Sequence, residues 1–166
     1  MERKIKPIAY IKTDFKEKFG IPRQSGRIKS AKGKIIFEPE YKNIEALKGL
    51  SDFSYIWLIF DFSLAHKEEF SPTVRPPRLG GNKKMGVFAT RSPFRPNNLG
   101  LSSVKLESIA ENGEYITVSG VDLLDGTPIY DIKPYIKYTD VHTDALDTFA
   151  GENQNHRLKI TAGIDK

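Results

Sequence analysis

The sequence has 166 residues, 39% hydrophobic and 28% charged, a composition typical of one globular domain with its own core. It contains no cysteine, which excludes disulfides and thiolate metal sites and is compatible with a reducing cytoplasm. The longest apolar run, residues 55–60, is too short to span a bilayer, and residues 1–7 lack the apolar core of a signal peptide. The three histidines are widely separated, so we expect a cytoplasmic protein without a metal site.

The net charge of +5 is unevenly distributed along the chain. Residues 18–37 contain six basic and no acidic residues, and residues 70–106 contain seven basic and no acidic residues. The other 109 residues hold 13 basic and all 21 acidic residues, so the two parts carry formal charges of +13 and −8. This segregation predicts a positive surface for a polyanion, with nucleic acid as the leading candidate. If the two basic segments lay on opposite faces, the field would be weaker.

Alternation of apolar and polar residues predicts a chain built mainly of short strands. The predicted strands are residues 5–12, 34–38, 53–62, 87–90, 101–109, 115–123 and 129–135. The single Trp57, in the most apolar of these strands, is expected to lie in the core. Two long basic connections, residues 13–33 and 63–85, are rich in Pro and Gly, and loops of this length in a compact domain are usually functional.

Helical signals are few. Residues 39–50 predict a helix because apolar residues recur every three positions and Pro39 suits a first turn. A further helical turn is expected at residues 144–150. Many strands and one or two short helices predict a mainly β fold, either a mostly antiparallel barrel or a sandwich with long functional loops.

A kinked turn follows the strand predicted at residues 87–90. Pro93 and Pro96 each remove a backbone donor and keep the preceding residue out of helix. Arg91 and Arg95 flank this turn, and two asparagines with Gly100 close it. Two guanidinium groups on a rigid turn are suited to an anionic or planar ligand. A surface loop with solvated arginines is an equally good interpretation of this stretch alone.

Known catalytic motifs are missing from the sequence. It has no phosphate-binding loop, no Gly-rich dinucleotide fingerprint, no His-Glu-x-x-His and no Gly-x-Ser-x-Gly. Asp122 and Asp125 could form an acid/base pair, although acidic turn residues more often stabilise the turn itself. Tyr130, Tyr135 and Tyr138 could stack on bases or fill a core. The residues alone therefore predict a nucleic-acid-binding β domain without naming a reaction.

Several long motifs of this sequence closely resemble those of the TrmO family, also called the YaeB or VirR-like family, with a TsaA-like domain. They are KEKF at residues 16–19, PRQ at 22–24, TVRPPRLGGN at 73–82, MGVFATRS at 85–92, FRPN at 94–97, DLLDGTP at 122–128 and DIKPY at 131–135. The resemblance implies an S-adenosylmethionine-dependent tRNA methyltransferase that works as a homodimer on a small β-barrel without a dinucleotide fingerprint. It implies methylation of N6 of N6-threonylcarbamoyladenosine at position 37 of threonine tRNA.

The resemblance also implies a set of site residues. Cofactor contacts are expected at Gln24, Ser25, Gly26, Ser63, Leu64, Arg91, Leu101, Asp125, Gly126, Thr127 and Pro128. Beyond the motif matches, we expect substrate contacts at Arg75, Arg78, Arg95 and Asn97, with Arg78 and Arg95 facing the threonylcarbamoyl carboxylate. We expect a carboxylate or a backbone carbonyl to act as the base, with Asp131 and Asp125 as the side-chain candidates and Lys133 and Tyr135 nearby for orientation.

The sequence departs from the family pattern at two places. Asn97-Asn98-Leu99-Gly100 stands where members have Asn-Pro-Ile/Leu-Gly, and we expect this to relax the turn. Longer bacterial members carry a C-terminal domain without a counterpart here, so we expect tRNA affinity and substrate choice to be affected more than methyl transfer. Residues 1–140 are expected to form the methyltransferase barrel, and residues 141–166 a tail that packs on the dimer partner.

Two other classes of protein stay open at this point. A non-catalytic RNA-binding module would need the basic loops but not the Asp125–Pro128 turn. A methyltransferase acting on a small molecule would need the cofactor motifs but not the segregated charge.

Overall fold

A computed structural model of the chain describes residues 1–79 and 81–146, without the side chain of Arg78. The strands are β1 (Ala9–Thr13), β2 (Lys32–Phe37), β3 (Tyr55–Asp61), β4 (Thr73–Val74), β5 (Met85–Gly86), β6 (Leu99–Ile109), β7 (Tyr115–Ser119) and β8 (Pro128–Pro134). One α-helical turn, α1 (Lys137–Asp140), follows β8. Short 3₁₀ helices occupy Pro39–Tyr41, Ile44–Leu47, Leu50–Asp52, Pro77–Leu79 and Val87–Ala89. None of the helices in these residues is long and apolar enough to cross a membrane.

Six strands close into one barrel in the order β1-β2-β7-β6-β3-β8, and every neighbouring pair is antiparallel. The barrel closes where β1 meets β8, with Ala9 opposite Ile129 and Tyr10 opposite Pro128. Strands β4 and β5 form a separate two-stranded sheet within the long connection between β3 and β6. The predicted antiparallel barrel is confirmed, and the sandwich is excluded by this closure.

The interior of the barrel is filled by alternate residues of its strands, as the period of two in a strand requires. The fully buried members include Ile11, Ile35, Ile56, Leu58, Val104, Ile116, Val118 and Ile129. Trp57 belongs to the other face of β3, so its expected place in the core was wrong. Its ring packs at 5.4 Å from that of Tyr135, and its Nε1–H donates to Asp140 Oδ2 at 2.9 Å.

The helix predicted for residues 39–50 was wrong, because three separate 3₁₀ helices stand in its place. The apolar spacing of three residues matches the 3₁₀ period of 3.0 better than the α-helical 3.6. Asn43 starts the second 3₁₀ helix by accepting the Glu45 N–H, and Gly49, with φ of 84°, interrupts the chain before the third. Of the helical turn expected at residues 144–150, residues 147–150 are outside the described residues, so it stays a prediction. The turn α1 at Lys137–Asp140 was not predicted.

The strand predicted for residues 87–90 was also wrong. Only Met85–Gly86 pairs as a strand, and Val87–Ala89 turns into a 3₁₀ helix. The cause is Thr90, whose backbone N–H and hydroxyl both donate to the Val87 carbonyl, at 3.1 and 2.8 Å. Local side-chain bonds of this kind compete with pairing into a sheet.

Gly100→Ala tests how closely β6 packs on the barrel interior. A Cβ at Gly100 would lie 2.3 Å from atoms of the Phe60 ring, so we expect the free energy of unfolding to fall by about 1–3 kcal/mol. Gly86→Ala is the matched control, because its Cβ would meet nothing within 4 Å. Denaturant unfolding of both variants measures the difference. Equal stabilities would show that Phe60 moves aside without cost.

Candidate active site

Three segments that are distant in the sequence meet around Asp122. Its Oδ1 accepts the Ser102 hydroxyl at 2.8 Å, and the backbone N–H of Ser25 is near enough to its carboxyl group to lower the pKa of Asp122. Beside it, Arg91 Nη1 donates to Gln24 Oε1 at 2.6 Å. The structure thus brings together the predicted cofactor residues of the first loop and Arg91, with Asp122 among them.

The loop that carries these residues is attached to the barrel through a pair of glycines. The Gly26 N–H donates to the Gly120 carbonyl at 2.8 Å. Gly120 has φ of 73°, and a Cβ there would lie 3.3 Å from the Gly26 Cα. Close approach of the two backbones therefore depends on glycine at position 120.

Electrostatics at this site combine a cation with a partly buried carboxyl group. Burial raises the pKa of Asp122, while the hydrogen bonds from Ser102 and Ser25 and the charge of Arg91 act in the opposite direction. A guanidinium bonded to the Gln24 amide, and a carboxyl group near enough to feel its charge, form a set of groups complementary to a zwitterionic amino acid. The arrangement can therefore bind a small ligand that carries both charges.

Asp122 is the site residue that the sequence interpretation missed, since it was weighed only as a partner of Asp125. The signal that could have identified it is its position between Val121 and Leu123, both 1% exposed. An acidic residue flanked by buried apolar residues is forced into a partly buried place, where it needs specific partners.

Asp125 lies in a different environment, at the turn that fastens to β1. Its Oδ1 accepts the Thr13 N–H at 2.9 Å, and its Oδ2 pairs with Lys16 Nζ at 2.8 Å. The hydrogen bond from Lys16, followed by that from Thr13, lowers the pKa of Asp125. A carboxyl group with a lowered pKa is a weaker proton acceptor, so this environment disfavours Asp125 as a base.

The rest of the same turn is also bonded to β1 or to itself. Gly126 donates its N–H to the Ile11 carbonyl at 2.8 Å, and the buried Thr127 donates its hydroxyl to Leu124 at 2.6 Å. Pro128 begins β8. Contact of these four residues with a cofactor stays a prediction.

The predicted catalytic residues lie on the outer wall of the barrel. Ile59 of β3 is opposite Leu101 on one side and Asp131 on the other, so the three share a row that faces outwards. Neighbouring strands are about 4.8 Å apart, which places the Cα atoms of Leu101 and Asp131 about 10 Å from each other. Leu101 is 59% exposed, and the Asp131 carboxylate pairs with Lys133 Nζ at 3.2 Å.

Tyr135 follows the end of β8, beyond this row. Its ring lies against those of Trp57 and Tyr55, with centroid distances of 5.4 and 6.3 Å. Among the predicted catalytic residues, Asp131 and Lys133 are in contact with each other, and Tyr135 belongs to an aromatic cluster.

The kinked turn is held by two of its own side chains. Arg95 Nη1 donates to the Thr90 carbonyl at 2.7 Å, and Asn98 Nδ2 donates to Pro93 O at 2.7 Å and to Ala65 O at 3.2 Å. The expectation that Asn98 relaxes the turn was wrong, because its amide ties the turn to the segment after β3. A proline at this position could make neither bond, since it has no side-chain donor.

The other predicted ligand contacts lie around this turn. Ser63 and Leu64 are exposed and directly precede Ala65, so the Asn98 bond keeps them beside the turn. Asn97 and Arg75 are exposed, and the side chain of Arg78 lies outside the described part. Within the residues that the structure describes, no group of three His, Asp or Glu side chains could hold a metal ion.

Comparison with known proteins defines the class of the chain. The family model described as the tRNA-methyltransferase O N-terminal domain matches residues 10–141. The chain therefore belongs to the TrmO family. A crystal structure of TrmO from Pseudomonas aeruginosa superposes with a TM-score of 0.77 and 41% sequence identity, covering 90% of this chain and 63% of that one.

Two curated relatives make the likeness more specific. The tRNA (adenine(37)-N6)-methyltransferase of Escherichia coli (strain K12) is 43% identical over 163 residues, which covers 96% of this chain and 69% of the relative. The "Putative S-adenosylmethionine-dependent methyltransferase RcsF" of Pseudomonas aeruginosa is 49% identical over 150 residues, which covers 90% of this chain and 62% of the relative. The chain thus spans somewhat less than two thirds of one relative's length and slightly more of the other's.

Substitutions at Asp125 test the attachment of its turn to β1. Asp125→Ala leaves the N–H of the buried Thr13 without its acceptor, so we expect a loss of about 1–3 kcal/mol in unfolding free energy. Asp125→Asn keeps an acceptor oxygen and loses only the ion pair with Lys16, so less than about 1 kcal/mol is expected. Thermal melts at neutral pH measure the stability of both variants. Lys16→Gln should lose as much stability as Asp125→Asn, because it removes the same ion pair.

The pH dependence follows from the lowered pKa of Asp125. A carboxyl group with a folded pKa below its unfolded value stabilises the fold above that unfolded value, here 3.8, and loses this effect as the pH falls through the folded pKa. The stability difference between the wild type and Asp125→Asn should therefore be present at pH 7 and disappear in acid. A difference that does not shrink as the pH is lowered from 7 to well below 3.8 would contradict this assignment.

Proposed function

We propose that this chain is an S-adenosylmethionine-dependent tRNA methyltransferase that methylates N6 of N6-threonylcarbamoyladenosine at position 37 of threonine tRNA. The observation that carries the proposal is the match of residues 10–141 to the tRNA-methyltransferase O domain, together with the 43% identity to the Escherichia coli tRNA (adenine(37)-N6)-methyltransferase. The name of the Pseudomonas relative supports the choice of cofactor.

The residues around Asp122 fit the amino acid end of this cofactor. A guanidinium held by Gln24 is suited to its carboxylate, and the Asp122 carboxyl group is suited to its ammonium group. We further propose that Ser63, Leu64, Leu101 and the Asp125–Pro128 turn complete the pocket, as the family motifs imply. Leu101 offers an exposed apolar side chain for this purpose.

The cofactor supplies a methyl group already activated by the sulfonium, so the chain needs to provide positioning and a proton acceptor. The N6 nitrogen of the modified base belongs to a urea-like group, and it releases its proton more readily than plain adenine does. We propose that the Asp131 carboxylate accepts this proton. Its ion pair with Lys133 is exposed and can be exchanged for a substrate at little cost.

The basic loops are proposed to hold the anticodon arm through its phosphates, with Arg75, Arg78 and Asn97 among the contacts. Position 37 is in a loop, where an unpaired base is extruded most easily. Arg95 uses Nη1 for the turn, and the other N–H groups of its guanidinium are proposed to reach the threonylcarbamoyl carboxylate.

We also propose a homodimer in the cytoplasm. The support is the outer wall of β3 and β6, where Tyr55, Leu99 and Leu101 are exposed apolar side chains on adjacent strands. A second copy that covers this wall would bury them. The tail from residue 141 is proposed to pack on that partner, although residues 147–166 lie outside the described part.

Methyl transfer to isolated threonine tRNA tests the proposed function. We expect nucleoside mass spectrometry to find methylated N6-threonylcarbamoyladenosine when the tRNA carries the threonylcarbamoyl group and nothing when it lacks it. Arg91→Ala, which removes the cation beside Asp122, serves as the variant with weakened cofactor binding. Methylation of a small molecule with no transfer to any tRNA would support the rival small-molecule methyltransferase instead.

Two isosteric variants separate the proposed roles of the carboxyl groups. Asp131→Asn should lower the single-turnover rate at saturating cofactor by about 10²–10⁴-fold, the usual contribution of a general base. Asp122→Asn should raise the KM for the cofactor and change the rate at saturation much less. An unchanged single-turnover rate in Asp131→Asn would show that another group accepts the proton.

A further inference from the structure

Phe94 lies in the kinked turn, and two lysines from distant segments meet its ring. Lys67 Nζ is 4.5 Å from the ring centroid, and Lys18 Nζ is 5.4 Å from it. Within residues 1–79 and 81–146, neither ammonium group makes an ion pair. Two like charges are therefore held at one aromatic ring without a carboxylate to neutralise them.

The backbone on both sides of Phe94 is fixed by hydrogen bonds. The Phe94 N–H donates to Ser92 Oγ at 3.3 Å, and the carbonyl before it, that of Pro93, accepts the Asn98 amide at 2.7 Å. The side chain of the next residue, Arg95, is bonded to the turn itself. With 36% exposure, Phe94 is partly supported and partly open to solvent. Because this backbone is already fixed, only the side-chain torsions of Phe94 have to be ordered when a ligand stacks on its ring.

The chemistry of this arrangement fits an unpaired nucleobase with its flanking phosphates. Every base has a flat face that stacks on an aromatic ring. The two ammonium groups lie over the Phe94 ring, so a base that stacks there takes their place, and the flexible lysine side chains turn towards the adjacent phosphates. Lys18 belongs to the basic segment 18–37 and Phe94 to the basic segment 70–106, so the two acid-free segments of the chain meet here. An approaching polyanion also relieves the repulsion between the two ammonium groups.

We propose that Phe94, flanked by Lys18 and Lys67, is a platform on which one unpaired base of the RNA substrate stacks. The inference rests on the proposed tRNA-binding function and adds a positioning residue to it. Phe94 holds the RNA, and it takes no part in proton or methyl transfer.

Equilibrium binding of RNA without cofactor tests the platform. The probe is a stem-loop RNA with the sequence of a threonine tRNA anticodon arm, in which unpaired bases are replaced one at a time by 2-aminopurine. Stacking on Phe94 should quench the fluorescence at one position on binding to the wild type, and Phe94→Leu should abolish that quenching. Phe94→Leu should also weaken binding by about 5- to 150-fold, whereas Phe94→Trp should bind like the wild type.

Controls separate stacking from charge and from general damage. Tyr10→Leu removes an exposed ring of β1, outside the basic segments, and should leave binding unchanged. Lys18→Gln and Lys67→Gln should each reduce the slope of log K against log salt concentration by about 1 while retaining the quenching. An unaltered thermal melt of Phe94→Leu excludes loss of the fold as the cause.

Absence of quenching at every position in the wild type would overturn the platform, as would Phe94→Leu binding with wild-type affinity. Equal losses in the Leu and Trp variants would also overturn it, because stacking would then not be the cause. These outcomes are distinguishable from failure of the proposed function. A wild-type protein that stacks the RNA on Phe94 but transfers no methyl group would refute the activity and leave the platform intact.

Discussion

The guanidinium group of Arg95 stabilises the conformation of the turn between β5 and β6. Pro93 and Pro96 supply no N–H, and the carbonyl groups of Thr90 and Ser92 are bonded by a side-chain donor instead. Arg95 Nη1 lies 2.7 Å from the Thr90 carbonyl and within 3.3 Å of those of Val87 and Ser92. Arg91 and Phe94 belong to the same turn, so both the proposed cofactor contact and the proposed platform depend on this one side chain.

Much of the barrel could be predicted from the sequence, because alternation of apolar residues is a local property that the strands retain. The errors have local causes too. In segment 39–50, the spacing of three between apolar residues fits a 3₁₀ helix as well as an α-helix. In segment 87–90, the bond from the Thr90 hydroxyl to the Val87 carbonyl favours a 3₁₀ turn over strand pairing. Neither the 3₁₀ hydrogen bonding nor the Thr90 bond changes the composition of its segment. The apolar pattern alone could therefore not reveal either of them.

The site was less accessible to sequence reasoning, because it depends on contacts between distant segments. Gln24 and Arg91, 67 positions apart, were paired with a cofactor only through the resemblance, and the residues alone gave no reason to connect them. The place of Asp122 in this site was missed for the same reason, because Ser25 and Ser102, which surround it, lie on other elements. The charge pattern left open whether the two basic segments share a face. The Gln24–Arg91 bond and the approach of Lys18 to Phe94 show that they do.

The hydrogen bond between Trp57 and Asp140 makes the indole a natural fluorescent probe. This is the only tryptophan of the chain, and it lies on the outer wall against Tyr135 with its N–H bound to the end of α1. Its carboxylate partner also accepts the Ile136 N–H, so one acidic group secures both the helical turn and the ring. The tryptophan fluorescence of this protein therefore records whether the segment after β8 is seated on the barrel.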